Sequence, residues 1–131
     1  MKGRILVIED NEQNLYLIKY ILEDCDFEVF SAADGREGIG LAASLRPDLI
    51  LLDIQLPVMD GYAVAQNLRK NPDLAETPII AVTSYAMPGD KEKAMESGCS
   101  GYIEKPIDPD TFDKEVQRYL SASPRDREKP S

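Results

Sequence analysis

Asp53 closes the apolar run Leu49-Ile50-Leu51-Leu52 and is followed at once by a loop, IQLPVMDG. A carboxylate at the end of a buried strand is costly unless something compensates it. Glu9 and Asp10 close a second apolar run, RILVIE; Thr83 and Ser84 close a third, PIIAVTS; Lys105 stands at the end of a fourth, within GYIEKP. Three carboxylates converging in one crevice repel one another and raise one another's pKa. A divalent cation relieves that repulsion. Mg²⁺ takes hard oxygen ligands in octahedral geometry and keeps several waters. Two carboxylates and a backbone carbonyl would leave it open positions for water and a phosphoryl oxygen. The alternative for each acid is solvation, or capping of the helix that follows, since helix starts favour negative charge. That alternative is weakest for Asp53, which precedes a loop.

These positions converge only if the intervening chain folds as repeated βα units, and the hydrophobic patterning predicts such units. RILVIE (4–9), FEVFSA (27–32), DLILLD (48–53), PIIAVTS (78–84) and part of GYIEKP (101–106) read as strands. DLILLD, apolar on both faces, suits the centre of a parallel sheet. Between them lie helical patterns. NEQNLYLIKYILEDC places Leu15, Ile18, Leu22 and Cys25 on one face, widened by Ile21. REGIGLAASL turns Ile39, Ala42 and Ala43 inward and stops at Arg46-Pro47. GYAVAQNLRK is followed by a polar loop, NPDLAETP. GDKEKAMESG has Asp90 near its start and Gly98 at its end. A last helix, signalled by Asp108-Pro109, carries Phe112, Val116, Tyr119 and Leu120 inward.

Short connections between five such units predict an α/β, doubly wound, flavodoxin-like parallel sheet with strand order 2-1-3-4-5. In such sheets the site lies at the carboxyl ends of the strands, where the winding reverses. That demand falls on the ends of strands one and three, where Glu9, Asp10 and Asp53 stand. Residues 1–121 read as one domain and 122–131, SASPRDREKPS from Ser121 onward, as a polar disordered tail.

Composition narrows the function. The chain has 131 residues, 43% of them hydrophobic, with 15 basic and 24 acidic residues for a formal charge of −9. That balance argues against nucleic acid and against an anionic membrane surface. No leader or membrane-spanning pattern is visible, so the expected compartment is the cytoplasm. Cys25 and Cys99 lack metal-type spacing and read as free thiols. The chain has no histidine. It therefore holds neither a Ser-His-Asp triad nor a histidine-ligated zinc, and cannot form its own phosphohistidine.

The acid pair Glu9 and Asp10, LILLD ending at Asp53, PVMDG, AVTS and the tripeptide EKP occur in an order and spacing that resemble the receiver domain of two-component response regulators. The resemblance runs from about Lys2 to Leu120. VIEDNEQN, LILLDIQLP and SYAMPGDKEKAMESGCSGYIEKPI are most similar to single-domain regulators of the DivK type. The resemblance implies that Asp53 accepts a phosphoryl group from a partner's phosphohistidine. Asp10 would ligate Mg²⁺ directly, Glu9 through water, with Asp53 and the backbone carbonyl of Gln55 completing the protein's ligands. Lys105 would neutralise one phosphoryl oxygen, and the Thr83 hydroxyl would bind another. The bond before Pro106 would be cis. Such a domain helps to catalyse its own phosphorylation and dephosphorylation without turning over an external substrate.

The resemblance also implies a switch. Thr83 would move toward the phosphoryl group and Tyr102 would turn inward, altering the surface formed by helix four, strand five and helix five. Gln55 and Tyr85 would flank the attacking water and slow hydrolysis. The implied partners are a histidine kinase or histidine phosphotransfer protein and a downstream protein target, with phosphorylation-dependent homodimerisation left open. The chain would be a free regulator or a receiver excised from a hybrid kinase. Rivals remain. An aspartyl phosphatase or phosphomutase needs a second acid two residues after the nucleophile, where this chain has Gln55. A flavodoxin-like cofactor binder needs a phosphate cradle where this chain has Asp10-Asn11-Glu12. A non-phosphorylated interaction module with the same fold would keep the sheet without the chemistry.

Overall fold

The computed structural model describes residues 3–56, 59–84 and 89–121. Five strands, β1 (Gly3–Ile8), β2 (Phe27–Ala32), β3 (Leu49–Asp53), β4 (Ile79–Thr83) and β5 (Gly101–Glu104), alternate with five helices. These are α1 (Glu12–Asp24), α2 (Gly35–Leu45), α3 (Gly61–Arg69), α4 (Asp90–Glu96) and α5 (Phe112–Ser121). The strands form one parallel sheet in the order β2-β1-β3-β4-β5.

Successive side chains of a strand point to opposite faces, so the apolar runs feed two cores. Leu6, Ile8, Ile50 and Leu52 pack with Val64 and Leu68 of α3 and Ala94 of α4. Ile5, Val7, Leu49 and Leu51 pack on the other face with Ile18 and Leu22 of α1 and Phe112 and Val116 of α5. Both faces of β3 are buried throughout, which is why its sequence reads as a continuous apolar run.

The helix starts follow from local chemistry. Asn11, Asp34 and Asp60 each accept a hydrogen bond from a backbone N–H three residues on, at 2.9 Å, and open α1, α2 and α3. At the end of α3, the Arg69 guanidinium donates to the carbonyls of Leu74 and Thr77, both at 2.7 Å, and of Gly98 at 2.8 Å. It thereby ties together the segments leading into β4 and β5, at the sheet end opposite the acids.

Three details differ from the sequence reading. Ala43 is exposed, and the buried positions of α2 are Gly35, Gly38 and Ala42. A Cβ on Gly38 would collide with Ile8, so this helix seats its glycines against the sheet. The polar segment after α3 contains a short 3-10 helix, Pro72–Leu74, whose Leu74 is buried. Finally, α5 begins at Phe112, because Asp108 opens a turn first: its carbonyl accepts from the N–H of Thr111 at 3.2 Å and of Phe112 at 2.9 Å. The tail 122–131 lies outside the described residues.

Candidate functional site

Parallel register brings the strand ends level. Ile8 pairs with Leu52, Asp53 with Val82, and Thr83 with Glu104. Glu9 and Asp10 therefore emerge beside Asp53, with Thr83 and Lys105 on its other flank. Carboxylate oxygens of Glu9, Asp10 and Asp53 all lie within 4.8 Å of one another. Glu9 and Asp53 are buried, at 3% and 5% exposure, whereas Asp10 faces solvent.

Lys105 is the cation that answers them. Its Nζ lies 2.9 Å from Glu9 Oε1 and 3.5 Å from Asp53 Oδ2. The Lys105–Pro106 peptide bond is cis, and the Lys105 N–H donates to the Thr83 carbonyl at 2.8 Å. Thr83 itself is buried. The Gln55 backbone N–H donates to Asp53 Oδ1 at 2.9 Å, and the residue is exposed. The Asn11 N–H reaches Glu9 Oε2 at 3.4 Å. Tyr85 falls outside the described residues.

One ammonium against three carboxylates leaves negative charge in excess. Glu9 registers it: burial foremost, then its hydrogen bond to and repulsion by Asp53, lift its carboxyl to about 7, against the opposing pull of Lys105. A cluster of hard oxygens with this deficit suits a small divalent cation. Mg–O distances of about 2.1 Å put opposite ligands of an octahedron roughly 4 Å apart, close to the spread of these oxygens. The donor set excludes soft ligands, since neither cysteine is part of it.

Sequence reasoning passed over Gly61. A Cβ there would lie 2.5 Å from Ile54 Cα and 2.7 Å from the Asp53 carbonyl oxygen. Its N–H donates to the Ile54 carbonyl at 2.9 Å. The start of α3 thus presses against the backbone that carries Asp53, an approach only glycine permits. The signal was available: a glycine directly after a capping aspartate, where a helix gains nothing from it.

A strand-end acid triad with a facing lysine and a buried hydroxyl on a 2-1-3-4-5 sheet defines a class of phosphoryl-accepting signalling domain. The model of the response regulator receiver domain matches residues 5–117, and the chain belongs to that family. It is similar to the polar-differentiation response regulator DivK of Brucella anthropi, 40% identical over 120 residues, covering 92% of this chain and 98% of that protein. Among solved structures it resembles the chemotaxis protein CheY4 of Vibrio cholerae, with a TM-score of 0.86 at 32% identity over 89% of this chain and 98% of that one. It also resembles the receiver domain of a sensor histidine kinase from Pseudomonas aeruginosa, with a TM-score of 0.84 at 34% identity over 91% and 98%. That structure has a magnesium ion coordinated in its active-site cleft. The family's role is phosphoacceptance in two-component signalling. Among the described residues, no helix is long and apolar enough to cross a membrane.

Proposed function

We propose that Asp53 is the residue phosphorylated in this receiver, taking its phosphoryl group from the phosphohistidine of a kinase or a histidine phosphotransfer protein. The observation that supports this most is the position of its carboxylate: buried at the end of the central strand, 3.5 Å from Lys105 Nζ and clustered with Glu9 and Asp10. One Asp53 oxygen bonds to phosphorus while the P–N bond breaks, its electron pair passing to the departing imidazole. The product is an acyl phosphate.

Asp10, Asp53 and the Gln55 carbonyl would hold Mg²⁺ directly and Glu9 would do so through water; the ion would supply positive charge against the oxygens of the group in transfer. The protein's own work is positioning and charge compensation, which dominate phosphoryl transfer. The β3 backbone and the Gln55 N–H fix Asp53 in place. Lys105 moves its ammonium from Glu9 to a phosphoryl oxygen, and the Thr83 hydroxyl donates to another. Thr83 and Tyr102 carry the change to the surface made by α4, β5 and α5, where a downstream protein reads it. Gln55 and Tyr85 hinder the hydrolytic water. The reaction belongs in the cytoplasm, where phosphohistidine partners are made.

Borohydride reduction tests the assignment. It converts an aspartyl phosphate into homoserine, and peptide sequencing by mass spectrometry locates it. Homoserine at position 53 alone is expected after treatment with a small phosphoryl donor and Mg²⁺. Homoserine elsewhere would transfer the role to another residue.

A further inference from the structure

Gly61, the first residue of α3, presses on the backbone of Asp53 and Ile54, and the next residue is Tyr62. Tyr62 is half-buried and packs, like Tyr102, against the core on this face of the sheet. The exposed Lys93 of α4 sets its ammonium over the Tyr62 ring, 4.5 Å from the centroid, within reach of a cation–π attraction. Burial foremost, then the charge of Asp90, raises the phenols of both tyrosines, so the first residue of α4 stands beside this pair.

Little else seats α4. Of its 7 residues only Ala94 is buried. Its C-terminal end is fixed: the Cys99 N–H donates to the Ala94 carbonyl at 3.0 Å, and Arg69 Nε donates to the Gly98 carbonyl at 2.8 Å. Its N-terminal end opens on Gly89, at a φ of 94° and with no side-chain cap among the described residues. A helix held at one end and uncapped at the other can pivot about the held end. The contact of Lys93 with Tyr62 restrains the free end against α3.

We propose that Lys93 and Tyr62 form a latch that holds α4 in its unphosphorylated setting, and that phosphorylation of Asp53 releases it. The latch rests on the phosphoacceptor reading above and adds to it a second connection from β3 to α4, through Gly61 and Tyr62, beside the one through Thr83 and Tyr102. Two features place the latched setting on the resting side of the switch: Lys105 is paired with Glu9, and Tyr102 lines the outer trough beside α4 and α5. An inward Tyr102 crowds the ring that Lys93 covers, so the two settings exclude each other. Such a contact biases two populations rather than creating either. An exposed cation–π pair shifts their ratio about two- to fivefold.

Beryllofluoride with Mg²⁺, which mimics an aspartyl phosphate, tests the latch on the ¹⁵N-labelled full chain. Lys93→Met and Tyr62→Leu should each raise the apparent affinity for beryllofluoride about two- to fivefold, because a larger share of molecules already stands in the binding-competent setting. In both, the amide signals of Ala94 and Tyr102 should move, before any ligand is added, along the line toward their beryllofluoride-bound positions. The double variant should gain no more than either single one. Lys93→Arg, whose guanidinium also stacks on an aromatic ring, should bind as the parent does. Unchanged or weaker affinity in Lys93→Met, additive gains in the double variant, or a Lys93→Arg that behaves like Lys93→Met would overturn the latch and leave the receiver reading standing. A parent that binds no beryllofluoride would overturn that reading, and the latch with it.

Discussion

The Lys105 ammonium lies 2.9 Å from Glu9, a residue 96 positions earlier in the chain. Both side chains are nearly excluded from water, so each depends on the other for charge compensation. Without a bound cation, Lys105 is the positive charge on which the acid cluster relies. Replacing it by methionine should lower the stability of the metal-free protein by about 3 kcal/mol, the usual cost of leaving a buried charge unpaired. Mg²⁺ should then recover more stability in Lys105→Met than in the parent, because it takes over the lost charge. Thermal unfolding with and without Mg²⁺ measures both, and equal Mg²⁺ increments would show that the lysine and the cation do not share these carboxylates.

Two glycines separate site architecture from helix propensity. Among the described residues, nothing lies within 4 Å of a Cβ on Gly40, in the interior of α2. Gly40→Ala should raise stability by roughly 0.5–1 kcal/mol. Gly61→Ala has to push aside the Ile54 and Asp53 backbone; it should cost about 1–3 kcal/mol and slow phosphorylation even where the protein is fully folded. Denaturant melts and a phosphorylation time course read the two effects. A normal rate in Gly61→Ala would mean that this close approach does not set the position of Asp53.

Thr77 is fully buried, and its hydroxyl has no hydrogen-bond partner among the described residues. Its carbonyl, by contrast, is held by Arg69. A buried hydroxyl without a partner costs about 1–3 kcal/mol, so the near-isosteric Thr77→Val should be neutral or stabilising. A clear loss of stability in denaturant titration would show that the hydroxyl is satisfied in solution.

Burial pushes the Cys99 thiol up from 9 to about 11, the nearby Arg69 opposing. A group whose folded value is raised contributes stability that is complete below the unfolded value and disappears as pH climbs through the folded one. Between pH 9 and 11 the unfolded chain therefore holds fewer protons than the folded one, and stability falls. Tyr62 and Tyr102, both raised from 10, mainly by burial, act in the same sense from about pH 10 upward. Denaturant titrations at about pH 8 and about pH 10.5 should show this loss, and Cys99→Ala should reduce it. An unchanged loss in Cys99→Ala would assign the alkaline transition to other groups.

The sheet was legible because parallel strands buried on both faces leave uninterrupted apolar runs, and Ile5 to Ile8, Leu49 to Leu52 and Ile79 to Val82 are of that kind. The candidate acids were legible for the same reason: a charge closing such a run stands out. What escaped was set by contacts between elements. Gly38 faces the core because Ile8 fills the space its side chain would need, so α2 turns differently from its apolar periodicity. Leu74 is buried in a segment whose neighbours are polar. The start of α5 depends on a turn at Asp108 that mimics a cap. Gly61 matters through the backbone it touches, which no periodicity reveals.

The central claim is that Asp53 accepts a phosphoryl group in a reaction that needs the acid cluster and a divalent cation. Intact-mass measurement after incubation with a small phosphoryl donor tests it most directly, with and without Mg²⁺, beside Asp53→Asn. The account predicts one added phosphoryl group on the parent with Mg²⁺, and none on Asp53→Asn or when the cation is chelated. A folded parent that gains no phosphoryl group with Mg²⁺ present, or an Asp53→Asn variant that gains one as readily, would contradict it.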